Sequence, residues 1–195
     1  MGIVVEPPCH GEDVRPGEPP QLTGWRYRLE HDDNLVSAFN AKTRTVLDFL
    51  VKEESADPKR VAVYGTSRGG FLAFHFAASE PRVKAAAAIS PVTKLLVLRE
   101  FHGTSRLEKV KQLDLMRLAP KLAGRAIWLS IGNKDDRVNT DDAIAFTRAL
   151  VAATARPGKP ETIVPVDLLV GPTAGHTKIE RADELLAEWL SKHMP

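Results

Sequence analysis

Gly65-Thr66-Ser67-Arg68-Gly69 reads G-x-S-x-G, a spacing that can present a serine as a nucleophile. The chemistry needs a sharp bend. A serine at a strained strand-to-helix turn points its hydroxyl out of the sheet. Gly65 and Gly69 lack the Cβ atoms that would clash where strand and helix pass closely. The context fits: Arg60 to Tyr64 reads as a β-branched strand, and Arg68 to Ser79 as a strongly apolar helix. The backbone N–H of Arg68 then lies at a helix N-terminus, where an oxyanion would be stabilised. The competing reading is an ordinary turn with a helix-capping serine. The G-x-x-x-x-G-K-[ST] spacing of a phosphate-binding loop is absent.

A serine hydroxyl needs an adjacent base. Of six histidines, His176 stands out. It follows Gly171-Pro172-Thr173-Ala174-Gly175, a loop after a predicted strand over 162–170. Open α/β sheets place their sites at such strand C-termini. His75 falls inside the apolar helix and reads as a core residue, while His31, His102 and His193 lie in polar surroundings. The base in turn needs a carboxylate to orient it. Gly132-Asn133-Lys134-Asp135-Asp136-Arg137-Val138 offers two, Asp135 and Asp136, just after a strand at 126–131. A solvated turn is the bland alternative for this pair. Serine, aspartate and histidine thus follow in order, each just past a predicted strand.

The elements that must position them alternate along the chain. Strands are expected at Ile3 to Val5, 60–64, 83–89, 126–131 and 162–170. Helices are expected from Asp32 or Asp33 to about Glu54, then over 68–79, 140–155 and 177–193. The loop at 7–24 is rich in proline and glycine. Such alternation predicts an α/β fold, with a mostly parallel sheet of about five strands covered by helices on both faces. Residues 94–124 mix charged and apolar positions and read as an irregular helical stretch.

Composition narrows the function classes. The chain has 195 residues, a length that suits one domain, and 43% of them are hydrophobic, which excludes a disordered chain. A single cysteine, Cys9, excludes an internal disulfide framework and a cysteine-based zinc site, and it reads as a small buried residue. Lys and Arg number 27 against 25 Asp and Glu, so no basic excess marks a nucleic-acid surface. The longest apolar candidate, Ala85 to Val92, is far short of the ~18 residues of a membrane span. Met1 to Val5 is cut off by Glu6-Pro7-Pro8 and is no secretion signal. A cytoplasmic protein without cofactor or metal is expected, acting on a small molecule rather than on a membrane or nucleic acid.

Taken together, Gly65-Thr66-Ser67-Arg68-Gly69-Gly70, Gly132 to Val138 and Gly175-His176 resemble the α/β-hydrolase superfamily, most of all its dienelactone-hydrolase and prolyl-oligopeptidase-like branch. The resemblance runs from residue 3 onward and implies a single α/β-hydrolase domain over 1–195, with 94–124 where the family inserts caps. Leu95, Leu98, Phe101 and their apolar neighbours there would either line an acyl pocket or cover the sheet. The family's aspartate loop, G-x-x-D-x-x-V, selects Asp135 over Asp136. Val4 to Asp13 resembles the family's fourth strand and the H-G loop that follows it.

That register implies an N-terminally shortened fold, without the family's first three strands or the loop that usually supplies the second oxyanion donor. Losing one such donor costs roughly 10²–10³ in rate. An open sheet edge would also be left, a template for another chain, so a homo-oligomer, a dimer, is expected through it. In a competing register, residues 3–6 replace the third strand and the N–H groups of Cys9 and His10 face the oxyanion. The fourth strand must then come from Trp25-Arg26-Tyr27-Arg28-Leu29.

The resulting expectation is a serine esterase acting on a small carboxylic ester. Ser67 would be the nucleophile, His176 the base, Asp135 the orienter and the Arg68 N–H an oxyanion donor. A non-catalytic or truncated module with an incomplete oxyanion hole is the rival, and a peptidase-like activity the second alternative.

Overall fold

A computed structural model describes residues 1–155 and 163–194. The sheet is parallel and four-stranded, in the order β1 (Val61–Thr66), β2 (Val83–Ile89), β3 (Ala126–Gly132) and β4 (Val166–Gly171). The expected fifth strand is not formed. Ile3 and Val4 are exposed and lie in no strand; they do not pair with β1, whose outer edge has no strand partner among the described residues. Of the strand expected over 162–170, residue 162 lies outside the described residues.

The remaining elements are α1 (Gln21–Glu30), α2 (Leu35–Lys52), α3 (Arg68–Ser79), the short α4 (Glu108–Gln112) and α5 (Ala119–Leu122), α6 (Thr140–Thr154) and α7 (Ala182–His193). Helix α2 is capped by Asn34 rather than by either aspartate: Asn34 Oδ1 accepts from the Ser37 N–H at 3.1 Å. Trp25 to Leu29 is helical, not a strand. Leu22, Trp25 and Leu29 recur at helical spacing and are all buried, and Trp25 Nε1 donates to the Pro8 carbonyl at 2.8 Å. Arg28, also buried, donates to Asp13 and Glu18 and ties the preceding loop to α1.

Alternation along β2 serves two cores. Ala86 and Ala88 face one cluster, with Phe71, Phe74 and Phe146 from α3 and α6. Ala85, Ala87 and Ile89 face the other, with Trp128 and with Leu186 and Trp189 of α7. The alanines give β2 little intrinsic strand preference. They are there because the covering helix comes close: a Cβ on Gly70 of α3 would stand 2.8 Å from the Ala88 Cβ. Leu95, Leu98, Phe101, Val110, Leu115 and Leu122 of the 94–124 stretch are buried in the first core, so these residues cover the sheet.

His75 lies behind the elbow on α3, packed against Phe71, and its Nε2 bonds the Leu113 carbonyl at 3.0 Å. Burial pushes its pKa from 6.5 down to about 4. The unfolded chain therefore takes up this proton first as pH falls. Its contribution is constant above about pH 6.5 and is lost down to about pH 4. We expect urea melts at pH 4.5 to show about 2–3 kcal/mol less stability from this group than at pH 7.5. In His75→Gln that part of the pH dependence should vanish. An equal loss in the variant would show that His75 does not cause it.

Candidate active site

Three loops at the C-terminal ends of β1, β3 and β4 bring the site together. At the first, Ser67 has φ 53° and ψ −117°, a backbone conformation that side chains rarely adopt. It is held there from both sides. Its N–H donates to the Ile89 carbonyl at 2.9 Å, and its carbonyl accepts from Phe71 and Val92. Gly65 is required: a Cβ there would stand 2.2 Å from the Gly69 carbonyl carbon. Gly69 is not required by crowding, since nothing lies within 4 Å of where its Cβ would be. The second close approach is made by Gly70, the second residue of the Gly69-Gly70 doublet. The Arg68 N–H heads α3, where a helix leaves its first amides without internal acceptors.

The loop after β3 buries Asp135 and leaves Asp136 exposed. Asp135 Oδ1 accepts from the N–H groups of Arg137 (3.1 Å) and Val138 (3.2 Å), which leaves Oδ2 to point at the site. Thr140 fastens the loop base, its hydroxyl donating to the Gly132 carbonyl and accepting from the Asp135 N–H. The loop after β4 packs on this one. Asn133 N–H donates to the Gly171 carbonyl at 2.7 Å, and a Cβ on Gly132 would run into the Thr173 hydroxyl. Gly175, at φ 88°, then turns the chain so that His176 faces inward.

The result is a continuous relay. His176 Nδ1 donates to Asp135 Oδ2 at 2.8 Å, and Nε2 stands 3.0 Å from Ser67 Oγ. With its proton fixed on Nδ1 by the carboxylate, the imidazole presents a lone pair to the serine hydroxyl. Such an arrangement can raise the nucleophilicity of Ser67.

The chain matches the profile of the prolyl oligopeptidase family over residues 40–194, a stretch that contains all three residues. The chain belongs to the prolyl oligopeptidase family. Its fold is accordingly that of the α/β-hydrolases. No curated protein matches the chain in sequence. Among solved structures, one similar to it is a putative dipeptidyl aminopeptidase IV from Bacteroides ovatus, with 20% identity and TM-score 0.67, covering 82% of this chain and 23% of that one. Another is acetyl xylan esterase 1 from Thermoanaerobacterium, with 20% identity and TM-score 0.64, covering 86% and 56%. Acylaminoacyl peptidase from Pyrococcus horikoshii has 14% identity and TM-score 0.61, covering 76% and 26%. The chain thus spans about a quarter of the length of these peptidases and somewhat over half that of the esterase.

In this family member the cleft over Ser67 and His176 has a volume of about 680 Å³. Cys9 and His10 do not line it, which corrects the alternative oxyanion assignment. The Cys9 N–H is already taken by Asp13 Oδ2 at 2.7 Å, and burial pushes its thiol up to about 11. His10 is exposed, its ring 3.4 Å from Glu6. From the 94–124 stretch only Arg99 and Glu100 reach the cleft, so its apolar residues form no acyl pocket there. Gln21, Arg99 and Glu100 are cleft residues that sequence reasoning missed, because no local pattern places the start of α1 or this turn beside the elbow.

Proposed function

We propose that the chain is a serine hydrolase that cleaves a small carboxylic ester through an acyl-enzyme. The observation that carries this reading is the unbroken Ser67–His176–Asp135 relay. His176 Nε2 takes the Ser67 proton as Oγ attacks the acyl carbon. The carbonyl oxygen, now an oxyanion, is met by the Arg68 N–H at the head of α3. The ester C–O bond then breaks, and the imidazolium returns the proton to the departing alkoxide. Water repeats the cycle with Ser67 as leaving group, and the carboxylic acid is released. Asp135, buried and held against His176 Nδ1, stabilises the imidazolium in both halves.

An amide bond would follow the same steps. Peptide cleavage is the second reading, favoured by the family's name and by the peptidases among the similar structures. The ester reading is favoured by the acetyl xylan esterase among the similar structures, of which the chain covers 56%, against 23% and 26% of the peptidases.

The test is a fluorophosphonate followed by intact mass. One adduct is expected on the wild type and none on Ser67→Ala. A folded wild-type protein that takes no adduct would refute the serine-hydrolase reading.

A further inference from the structure

Charge in the cleft is unbalanced. Arg68, Arg99 and Arg137 line it together with Ser67 and His176, against one carboxylate, Glu100. That carboxylate is committed: both its oxygens accept from Arg137 Nη2 at 2.8 Å, and its pKa is held below the usual range despite burial. Arg137 is therefore matched by Glu100, one guanidinium nitrogen shared between both carboxylate oxygens. Arg99 touches the same carboxylate only at 3.4 Å, and its side chain is 81% exposed. Arg68 donates to the neutral Gln21 Oε1 at 3.2 Å, and among the described residues no carboxylate lies within ion-pair distance of it. In the cleft that holds Ser67, Arg68 has no counter-charge among the described residues, and Arg99 has only its long contact to a carboxylate that Arg137 already holds.

The position of Arg68 sharpens this. It is the first residue of α3, whose first turn holds no acidic side chain. The helix dipole disfavours a cation there and favours an anion. A guanidinium in that place becomes favourable when a negative group sits against it.

We propose that the cleft selects esters whose acyl group carries a carboxylate, held by Arg68 and Arg99 a few bonds from the scissile carbonyl. The inference deepens the serine-hydrolase reading and rests on it for the reaction, though not for the binding. Guanidinium groups pair with carboxylates through parallel N–H donors, and a field concentrated in a cleft also draws an anion in.

The comparison is between the 4-nitrophenyl monoester of succinic acid and 4-nitrophenyl butyrate, which are similar in length and differ in charge. In the wild type at low salt, kcat/KM should favour the succinyl ester by at least about tenfold, falling as salt screens the cleft. Arg68→Gln with Arg99→Gln should bring the ratio towards one. Arg148→Gln, on the exposed face of α6, should leave the ratio where it was. A wild-type ratio near one, or a ratio untouched by the double variant, would overturn the proposal. Fluorophosphonate labelling reports separately on the reaction. Should labelling fail, calorimetry on Ser67→Ala decides the binding: monomethyl succinate should bind more tightly than dimethyl succinate, and equal affinity would overturn the proposal.

Discussion

Asp135→Asn is expected to lower kcat by about 10⁴-fold without unfolding the protein. The reason lies in how the two carboxylate oxygens are used. Oδ1 accepts from the Arg137 and Val138 amides, and an asparagine oxygen can keep both bonds. The asparagine NH₂ then replaces Oδ2 and faces His176 Nδ1. A donor there pushes the imidazole into the other tautomer, with its proton on Nε2. That nitrogen can no longer accept the Ser67 proton. The counter-charge for the imidazolium is lost as well. Far-ultraviolet circular dichroism and the melting temperature should stay close to wild type, while steady-state turnover of a 4-nitrophenyl ester and the rate of fluorophosphonate capture both collapse. Asp136→Asn, at the exposed neighbour, should change either rate less than about twofold, as expected of a surface substitution. A drop of under tenfold in Asp135→Asn would mean that the carboxylate does not set the tautomer.

Gly65→Ala should cost about 3 kcal/mol or more, near the upper range for a single substitution. The added Cβ would lie 2.2 Å from the Gly69 carbonyl carbon, 2.4 Å from its oxygen and 2.6 Å from the Gly70 nitrogen. These are backbone atoms of the first turn of α3, so no side chain can swing away. Relief comes only by moving the helix start, which carries the Ser67 bend and the Arg68 N–H with it. For a domain of this size, about 3 kcal/mol lowers the melting temperature by roughly 10 °C. Any folded remainder should have lost most of its fluorophosphonate reactivity. Gly69→Ala is the control: its Cβ enters open space inside a helix, where alanine is preferred to glycine by about 0.5–1 kcal/mol. Equal melting temperatures for the two variants would refute the crowding argument.

Much of this protein is local information, and local information is legible in a sequence. Strands β1 to β3 and helices α3 and α6 fall where hydrophobic period, glycine and capping residues put them, since each signal acts within a few residues. The order Ser67, Asp135, His176, each just past a strand, follows from the same signals. A parallel sheet gathers the C-terminal ends of its strands on one side, so the three residues that the sequence singles out meet in one place.

What only the tertiary structure decided depends on contacts between distant parts of the chain. Ile3 to Val5 has strand-forming residues, yet it does not pair with the free edge of β1, and pairing between distant segments is not a local signal. Trp25 to Leu29 alternates like a strand, yet its partners are Pro8 and the α3 core, and burial there needs a helical stripe. The aspartate-loop pattern points to Asp135, but the burial of Asp135 and the exposure of Asp136 are set by where β4 and its loop pack. The glycine that fits α3 against β2 is Gly70, because the Ala88 methyl lies beneath it rather than beneath Gly69. The charge of the cleft belongs to the same class. Arg68 is adjacent to Ser67 in sequence, but Arg99 and the Glu100–Arg137 pair arrive from other elements, and which arginine holds Glu100 is a property of packing alone.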